Sequence, residues 1–556
     1  MSSESLPKFV VILILDGWGI ASAGAGNAIS LANTVNFNKF MASYPHSQLS
    51  ASGEAVGLPR GEDGNTETGH LNLGAGRIVY QDLERINMAI ADGTFFDNKV
   101  LIGAIDHAAK NNSKLHIMGL LGAAGVHSNI EHLYALIHLA HLKNFKSLYL
   151  HLFTDGRDSP QTASKTYLKN LSKVIENEGT GAVASIMGRY WSMDRDQRWD
   201  RTEKAYKALT EGKANLVKDL NETIDASYSE GKTDEFVEPS LVIGPDGKPI
   251  SLIGDNDSII FFNFRIDRPR QLTKAFLLSD FSKATITFDY DPFEKSSDKP
   301  VSSLQGSKES DHKTFNRGEK INNLYFVTMT EYDKNLLNEG ANVAFPPELI
   351  DAPLSSVVST GALRQLKITE SEKERFVTFY FNGLREEPFP LEEVIIIPSL
   401  HVSTYDQKPE MAARVITDTL LRKLSTMDYQ LAVVNFPNAD MVGHTGNIGP
   451  TVKAVEFVDL CIGEIANFVI ANEGAMLVTS DHGNAEEMIN LHSGEIDTEH
   501  SNNPVPFIAI SPKLLGNSQA LTSGILADIA PTAISLLGLP LPSSMTGRDL
   551  LKDIKF

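Results

Sequence analysis

The chain has 556 residues, which is long enough for two or more domains, and its 42% hydrophobic and 22% charged residues are typical of a globular protein. The formal net charge of −20 argues against nonspecific binding to nucleic acid or to an anionic membrane. Cys461 is the single cysteine, and the N-terminal apolar run 9–15 is too short to span a membrane and lacks a signal-peptide cleavage site, so we expect a cytoplasmic protein.

Short apolar runs recur along the chain and predict strands that are buried on both faces, as in a parallel sheet. In chain order they cover residues 9–15, 115–118, 148–153, 182–187, 259–264, 324–329, 376–381, 394–397, 431–436, 476–479 and 506–510. Helical patterns lie between several of them, including 409–424 and 455–469, and the second places Cys461 in or near the core. Strands that alternate with helices predict an α/β architecture.

Residues 64–70, Gly-Asn-Thr-Glu-Thr-Gly-His, form the first stretch that suggests chemistry. Glycines at both ends predict a sharp turn that leaves the hydroxyl of Thr66 exposed. Such a hydroxyl, close to a metal or a base, is a candidate nucleophile. An ordinary turn or a helix cap would use the same residue types, so the segment alone leaves both interpretations open.

Carboxylates and imidazoles follow several predicted strands, where ligands bind in open α/β sheets. These residues are Asp16, Asp440, His444, Asp481, His482 and His500. A mixed set of this kind suits manganese, zinc, cobalt or iron better than calcium, and two such ions could polarise a phosphoryl group. Singly, Asp-His-Gly is typical of a capped turn and Asp-x-x-x-His of a surface pair. Together with Thr66, the six residues favour a metal site.

Arginines cluster after the strands in the middle of the chain. The five arginines are Arg157, Arg189, Arg195, Arg265 and Arg268, and His127 and Asp158 also follow strands of this region. Guanidinium groups match phosphate and carboxylate bidentately, so five of them in an acidic protein indicate a small polyanion, although a single such arginine is usually solvated or in a structural ion pair. Asp158 could be a general acid or base, or could merely hold Arg157.

The metal-type residues lie in the outer segments of the chain and the arginines lie in the middle, which suggests two α/β domains with the second inserted into the first. We expect a metal-binding domain formed by residues 1–80 and 348–556, and a substrate-binding domain formed by residues 81–347. Within the second, residues 291–320 are rich in Ser, Lys, Asp and Glu and are predicted to be a flexible surface insertion.

In combination, the motifs resemble one family, the cofactor-independent phosphoglycerate mutases of the alkaline-phosphatase-like superfamily. The resemblance covers nearly the whole chain. It rests on Leu-Asp-Gly-Trp-Gly at 15–19, the segment 64–70, Gly-Val-His-Ser at 125–128, Asp-Gly-Arg-Asp at 155–158, Gly-Arg-Tyr at 188–190, Met-Asp-Arg-Asp at 193–196, Phe-Arg-Ile-Asp-Arg at 264–268, Glu-Ser-Glu-Lys at 370–373, Asn-Ala-Asp-Met-Val-Gly-His-Thr-Gly at 438–446 and Ser-Asp-His-Gly-Asn at 480–484.

The resemblance implies that 3-phosphoglycerate and 2-phosphoglycerate interconvert in glycolysis and gluconeogenesis through a phospho-enzyme. It implies two divalent metal ions, with manganese expected first and cobalt, zinc or iron as alternatives, and no need for 2,3-bisphosphoglycerate. It also implies a monomer that acts on small-molecule phosphoglycerates, without a nucleic-acid or membrane partner.

The resemblance also assigns site residues by their position in the motifs. By this resemblance, Asp440, His444 and His500 bind one metal ion. Asp16, Asp481, His482 and the nucleophile Thr66 bind the other. By this resemblance, Arg265 and Arg268 bind the phosphate, and Lys373 lies near the transferring phosphoryl group. Arg189 and Arg195 bind the substrate. His127, Arg157 and Asp158 contact the glycerate, with Asp158 as the proton shuttle.

Two positions depart from the family's pattern. The nucleophile is usually serine, and Thr66 stands in its place; the loop before His127 is usually Ser-Asp-Gly-Gly, and residues 122–125 are Gly-Ala-Ala-Gly. Two alternatives therefore stay open beside an active mutase. One is a metal-dependent phosphomonoesterase, which would have no need of the middle arginines, and the other is a non-catalytic homologue.

Overall fold

The computed structural model describes residues 6–284, 314–490 and 493–554. The chain divides into two compact units, which we call the discontinuous unit, Met1–Gln81 with Glu348–Phe556, and the inserted unit, Asp82–Pro347. Each unit contains an eight-stranded sheet with helices, so the predicted α/β architecture is confirmed. The roles that the sequence suggests for the two domains stay a prediction.

The strands of the described residues are numbered β1 to β16 in chain order. They are Val10–Leu15, His46–Ser50, Leu115–Leu121, Leu148–Thr154, Ala182–Gly188, Asn215–Val217, Ser240–Val242, Ser258–Phe261, Tyr325–Thr328, Ala341–Val343, Gln365–Glu370, Glu392–Ile397, Leu431–Phe436, Ala475–Thr479, Val505–Ile510 and Gly524–Ile525.

The α-helices of the same residues are numbered α1 to α17. They are Ala28–Leu31, Val35–Ser43, Thr66–Ala75, Asp82–Asp92, Lys99–Lys110, Ile130–Leu142, Ser164–Glu178, Arg189–Ser192, Trp199–Glu211, Leu220–Ser229, Pro269–Leu277, Lys334–Asn338, Leu354–Thr360, Ala413–Leu424, Asn438–Gly443, Ile448–Ala471 and Ile529–Leu536. Short 3₁₀ turns cover Gly53–Val56, Thr94–Asp97, Asp234–Phe236, Phe281–Lys283, Ser371–Lys373, Tyr405–Gln407, Pro512–Leu514 and Leu526–Asp528.

The sheet of the discontinuous unit has the order β12-β11-β13-β1-β14-β15-β2-β16. Its centre is β1, which pairs in parallel with β13 and β14 and has all six residues buried. Parallel strands place their carboxyl ends at one edge of a sheet. The segments after β1, β13 and β14 therefore meet; Asp16 and Asp481 lie in the first and the last of them, and Asp440 lies in α15, which follows β13.

The sheet of the inserted unit has the order β10-β9-β8-β3-β4-β5-β7-β6, and β8, β3, β4 and β5 are parallel neighbours. His127, Arg157 and Arg189 follow β3, β4 and β5 in the chain, and Arg265 follows β8. The parallel order brings these segments to the same edge of this sheet.

Ten of the eleven predicted strands are confirmed, with shifted ends, and so are both helical patterns, which correspond to α14 and α16. The predicted strand 376–381 is wrong, because Phe376–Tyr380 forms a π-helical turn. Val377 and Phe381, four residues apart, are fully buried, whereas Phe376 and Phe379 are only partly buried. That spacing is helical, and a short apolar run does not reveal it by composition alone.

The sequence analysis did not predict β2, β6, β7, β10, β11 and β16. The most instructive of these is β11, a fully buried strand that contains Lys367 and Glu370. Lys367 Nζ lies 3.3 Å from Glu392 Oε1 on the neighbouring strand, so the buried ammonium has an anionic partner. A charged residue in a short window argues against a buried strand unless its partner is known.

Most of the predicted insertion 291–320 lies outside the described residues. Residues 314–320 are irregular, and within them the guanidinium of Arg317 donates to the carbonyl oxygens of Ala275 and Leu278 at the end of α11. Cys461 is fully buried in α16, as expected. Among the described helices, none combines the length and the apolar character that a membrane crossing requires.

Candidate metal centre and anion-binding cluster

Thr66 is the first residue of α3, and Asn65 caps this helix by accepting a hydrogen bond from Thr68 N at 2.9 Å. The predicted tight turn with an exposed hydroxyl is therefore wrong, because the segment is a capped helix start and Thr66 is buried. A Cβ atom on Gly69 would lie 2.5 Å from the carbonyl oxygen of Asp481. Glycine at this position lets the first turn of α3 pack directly against the loop after β14.

The hydroxyl of Thr66 has two polar neighbours. Its Oγ1 lies 2.9 Å from His482 Nε2 and 3.0 Å from Lys373 Nζ. The start of α3 adds the partial positive charge of the helix dipole, which favours bound anions. A buried hydroxyl in these surroundings is suited to receive a phosphoryl group.

Lys373 comes from the 3₁₀ turn after β11, and its Nζ lies 2.8 Å from both Asp16 Oδ1 and Asp440 Oδ2. Burial alone would lower the pKa of Lys373, but Asp16 and Asp440 raise it, so this side chain is an ammonium. Burial and the nearby Asp481 raise the pKa of Asp16 to about 7. Against the effect of burial, Lys373 and His444 hold the pKa of Asp440 well below its usual range.

The first candidate metal group consists of Asp440, His444 and His500, whose ligand atoms lie within 4.8 Å of one another. Asp440 Oδ1 lies 3.2 Å from His444 Nε2 and 3.4 Å from His500 Nε2. Burial lowers the pKa of His500, which leaves its imidazole neutral, the form that binds metals. The sequence-predicted residues of the first metal are thus brought together.

The second candidate group surrounds Asp16, which lies in two sets of ligand atoms within 4.8 Å, one with Asp440 and His482 and one with His70 and Asp481. Asp481 Oδ2 lies 3.4 Å from His482 Nε2 and is buried without a hydrogen-bond partner. Burial lowers the pKa of His482, so this ring is also neutral.

These two groups fit divalent cations. Asp16, Asp440 and Asp481 face a single ammonium, that of Lys373, which leaves a local excess of buried negative charge. The unpartnered oxygen of Asp481 is the kind of buried atom that a cation would satisfy. Mixed carboxylate and imidazole ligands suit transition-metal ions.

Three residues around these groups were not singled out by the sequence analysis. Asn435 Nδ2 donates to Asp16 Oδ2 at 2.8 Å, and Asn484 Nδ2 donates to Asp440 Oδ1 at 3.1 Å. His70 lies between Asn435 and the start of α3. His70 and Asn484 belong to the segments 64–70 and 480–484, but Asn435 lies within the apolar strand β13, and nothing in its local sequence marks it.

The inserted unit gathers the predicted anion-binding residues around two carboxylates. Arg189 is buried and donates to Asp155 Oδ1 at 2.6 Å and to Asp158. Asp158 therefore pairs with Arg189 rather than holding Arg157, which was one of its two proposed roles. His127 Nε2 lies 3.6 Å from Asp158 Oδ2, and burial lowers the pKa of His127 to about 4, so its ring is neutral near pH 7.

Asp267 is the other carboxylate of this cluster, and the sequence analysis did not single it out. It accepts a hydrogen bond from Arg195 Nη1 at 2.7 Å, and it lies 3.4 Å from Arg265 Nε and 3.5 Å from His127 Nδ1. Burial opposes ionisation, but His127 and Arg265 lower the pKa of Asp267. The carboxylate fixes three of the predicted side chains in one place.

A cavity of about 160 Å³ lies beside these pairs, and its lining includes Arg157, Arg189, Arg195 and Arg268. Arg157 is weakly paired, because its side chain is 56% exposed and its ion-pair partner, Glu235, lies 3.9 Å away. Burial and the neighbouring Arg189 lower the pKa of the Arg268 guanidinium. Unbalanced guanidinium groups around a small cavity fit a small anion.

The altered loop 122–125 lies against the same cluster. A Cβ atom on Gly122 would lie 2.9 Å from Ser159 Oγ and 3.5 Å from Asp155 Oδ2. The serine that the family usually has here would therefore require Ser159 to move. In this chain, the glycine at position 122 leaves room for the side chain of Ser159.

The family model and the curated relatives agree on one family. A family model described as the N-terminus of BPG-independent PGAM matches residues 86–334. The 2,3-bisphosphoglycerate-independent phosphoglycerate mutase of Moorella thermoacetica is 46% identical over 542 residues, which are 98% of this chain and 98% of that protein. The protein of the same name from Clostridium botulinum strain Langeland is 45% identical over 545 residues, 98% of this chain and 99% of that protein.

Among solved structures, the phosphoglycerate mutase of Leishmania mexicana, determined at low cobalt concentration, is 28% identical and has a TM-score of 0.57. The alignment covers 99% of this chain and 98% of that one.

Proposed function

Because this chain belongs to the family of 2,3-bisphosphoglycerate-independent phosphoglycerate mutases, we propose that it interconverts 3-phosphoglycerate and 2-phosphoglycerate through a phosphothreonine at Thr66. The family is one of isomerases that act on small-molecule phosphoglycerates. In this proposal the phosphoryl group moves from one hydroxyl of glycerate to Thr66 and back to the other hydroxyl. The substrate itself supplies the phosphoryl group, so no 2,3-bisphosphoglycerate is needed.

The placement of Thr66 supports this proposal most directly. Its Oγ1 is buried at the start of α3, within 3.0 Å of both Lys373 Nζ and His482 Nε2. Attack of this oxygen on phosphorus forms the new P–O bond while the bond to the glycerate oxygen breaks. The backbone N–H groups of α3 and the ammonium of Lys373 would stabilise the charge on the transferring phosphoryl oxygens.

Two divalent cations complete the proposed site, with manganese expected first. Asp440, His444 and His500 would hold one of them. Asp16, Asp481, His482 and Thr66 would hold the other. Bound there, such ions would supply Lewis acidity, which lowers the pKa of a coordinated hydroxyl and neutralises phosphoryl oxygens.

The anion-binding cluster of the inserted unit is proposed to hold the substrate. Arg157 and Arg189 would pair with its carboxylate or phosphate oxygens, because guanidinium groups bind such groups bidentately. Asp158 would return a proton to the glycerate oxygen released in the first transfer and remove one from the oxygen that attacks in the second. The neutral imidazole of His127 can donate or accept a hydrogen bond to the glycerate.

Mass spectrometry of enzyme quenched with substrate tests the proposal. We expect phosphate on Thr66 in the wild-type protein and none in Thr66→Ala, together with a loss of turnover of at least a thousandfold, roughly 4 kcal/mol. Thr68→Ala, two residues further along the same helix, is the matched control and should keep the modification. Full mutase activity in Thr66→Ala would refute the mechanism.

The same experiment separates the alternatives. A phosphomonoesterase would release phosphate to water without forming the isomeric phosphoglycerate, and a non-catalytic homologue would neither become phosphorylated nor turn over. A mutase forms the isomer and retains the phosphate in organic form.

A further inference from the structure

We infer that Asn435 and His70 form a neutral hydrogen-bonded brace that positions Asp16 and the start of helix α3 for the second cation site. Both side chains are fully buried. The inference rests on the proposed function only for the presence of that cation. Neither residue touches the substrate in this view, and both act through Asp16 and Thr66.

The orientation of the Asn435 amide follows from its neighbours. Its Nδ2 lies 2.8 Å from Asp16 Oδ2 and 3.1 Å from His70 Nε2, and its Oδ1 lies 3.3 Å from the hydroxyl of Thr369 on β11. The reverse orientation would set the amide oxygen against the carboxylate, two acceptors facing each other. The NH₂ group therefore donates both to Asp16 and to His70.

The tautomer of His70 follows from this amide. Because Nε2 accepts from Asn435, the hydrogen of the neutral ring sits on Nδ1. Nδ1 lies 3.0 Å from the carbonyl oxygen of Thr66, to which it donates. The brace therefore joins Asp16, which follows β1, to the residue of α3 that carries the proposed nucleophile.

The same geometry excludes His70 as a metal ligand, although its nitrogens lie near those of Asp16 and Asp481. One ring nitrogen accepts from an amide and the other carries the hydrogen, so neither has a free lone pair. His70 Nδ1 lies 3.2 Å from Asp481 Oδ2, but its hydrogen is donated to Thr66. Asp481 Oδ2 has no hydrogen-bond partner and keeps its lone pairs for a cation.

The first test reads the tautomer in metal-free protein by ¹⁵N NMR of the full chain labelled at histidine, with the His70 signals assigned by their loss in His70→Gln. We expect the neutral Nδ1–H form in the wild type. In Asn435→Asp, a carboxylate replaces the amide donor, and Nε2 should gain the proton. A wild-type ring protonated at Nε2, or an unchanged tautomer in Asn435→Asp, would overturn the brace.

The second test measures manganese binding by titration calorimetry. Asn435→Leu keeps the side-chain volume and removes both donors, so one of two binding equivalents should weaken tenfold to a hundredfold while the other stays within about twofold. Asn72→Leu is the matched control. Asn72 is buried in the same helix as His70, but its amide donates to the carbonyl oxygens of Val56 and Thr68.

We expect Asn72→Leu to leave both equivalents within about twofold. Unchanged binding in Asn435→Leu, or equal weakening of both equivalents in both variants, would overturn the inference. If Asn435→Leu does not fold, the tautomer of the His70 ring in Asn435→Asp decides whether the brace exists. The two proposals can fail separately. If the wild-type protein binds two ions and His70 is in the Nδ1–H form but no phosphothreonine forms, the proposed function is refuted and the brace is supported.

Discussion

The two units bury charge in opposite ways. In the discontinuous unit, Asp16, Asp440 and Asp481 converge on one ammonium, so negative charge is in excess. In the inserted unit, six arginines and three acidic residues line the small cavity, so positive charge is in excess on its wall. Each unit leaves its excess charge at the carboxyl ends of parallel strands, where its fold brings several loops together.

Each site lacks the counter-charge that a bound ligand would bring. Buried charge needs a partner, because desolvation of an unpaired ion costs several kcal/mol. We expect cations to balance the carboxylates of the discontinuous unit and an anion to balance the arginines of the inserted unit. A phosphorylated hydroxy acid and two divalent ions would balance both.

Removal of metal should have the largest effect. Exhaustive chelation should lower mutase activity at least a thousandfold, roughly 4 kcal/mol, because three carboxylates then face Lys373 without the charge that transfer requires. Manganese or cobalt should restore the rate, as measured by a coupled assay with metal analysis of the same sample. Full activity in protein without detectable metal would contradict the two-cation site.

Arg157→Ala should separate transfer from hydrolysis. Arg157 is the exposed and weakly paired guanidinium of the cavity, so we expect its loss to release glycerate and to lower the mutase rate roughly a hundredfold, about 2.7 kcal/mol. Release of inorganic phosphate should fall less. Arg414→Ala, which breaks a surface pair with Glu464 in the other unit, is the control. An equal loss of both rates would show that Arg157 does not retain glycerate.

Acid should destabilise the inserted unit, in which His132 is buried. Burial lowers the pKa of His132 to about 3, so the folded unit keeps this ring neutral while the unfolded chain binds a proton below about pH 6.5. Stability is therefore fully present above pH 6.5 and is lost as the pH falls, by roughly 2–3 kcal/mol at pH 4.5. Against the effect of burial, nearby positive charge, including that of Lys373, lowers the pKa of Asp481 in the discontinuous unit, so the contribution of this carboxylate persists until the pH falls below about 3.8.

Tryptophan fluorescence can follow this loss of stability of the inserted unit. Trp191 and Trp199 lie in the inserted unit and Trp18 lies in the discontinuous unit, so denaturant unfolding of Trp18→Phe reports the inserted unit alone. The loss of stability between pH 6.5 and 4.5 should shrink in His132→Gln. An unchanged pH slope in that variant would assign the acid sensitivity to other groups.

Thr66→Ser should have the smallest effect. The change keeps the hydroxyl that lies beside Lys373 and His482 and removes one methyl group, which restricts the rotamer of threonine. We expect turnover within about tenfold of the wild type, roughly 1.4 kcal/mol. A rise from near zero would favour a non-catalytic homologue.

The sequence predicted the parts of the molecule that are continuous in the chain. Apolar runs such as β1 and β13 are visible because burial on both faces removes every polar residue from the strand. The convergence of Asp16, Asp440 and Asp481 was also predictable, since each follows such a strand. The helical start of 64–70 was not, because the cap formed by Asn65 and a tight turn use the same residue types.

Residues that act through others stayed hidden. Asn435 is a polar residue within a buried strand, and only its contact with Asp16, 419 positions away in the chain, gives it a role. Asp267 belongs to the motif 264–268, in which only the arginines indicated an anion site. Sequence patterns identify side chains that must meet a ligand, whereas three-dimensional contacts are needed to identify those that hold them.

The central place of β1 has a consequence for synthesis of the chain on the ribosome. Val10 pairs with Leu431 and Ala475, so the first strand made waits for about 420 further residues before it can join its sheet. At 5–20 residues per second this takes roughly 20–80 s, during which six consecutive apolar residues lack their partners. The inserted unit can complete its own sheet in that interval. We therefore expect nascent chains released before Leu431 to have a folded middle and an N-terminal segment that binds chaperones.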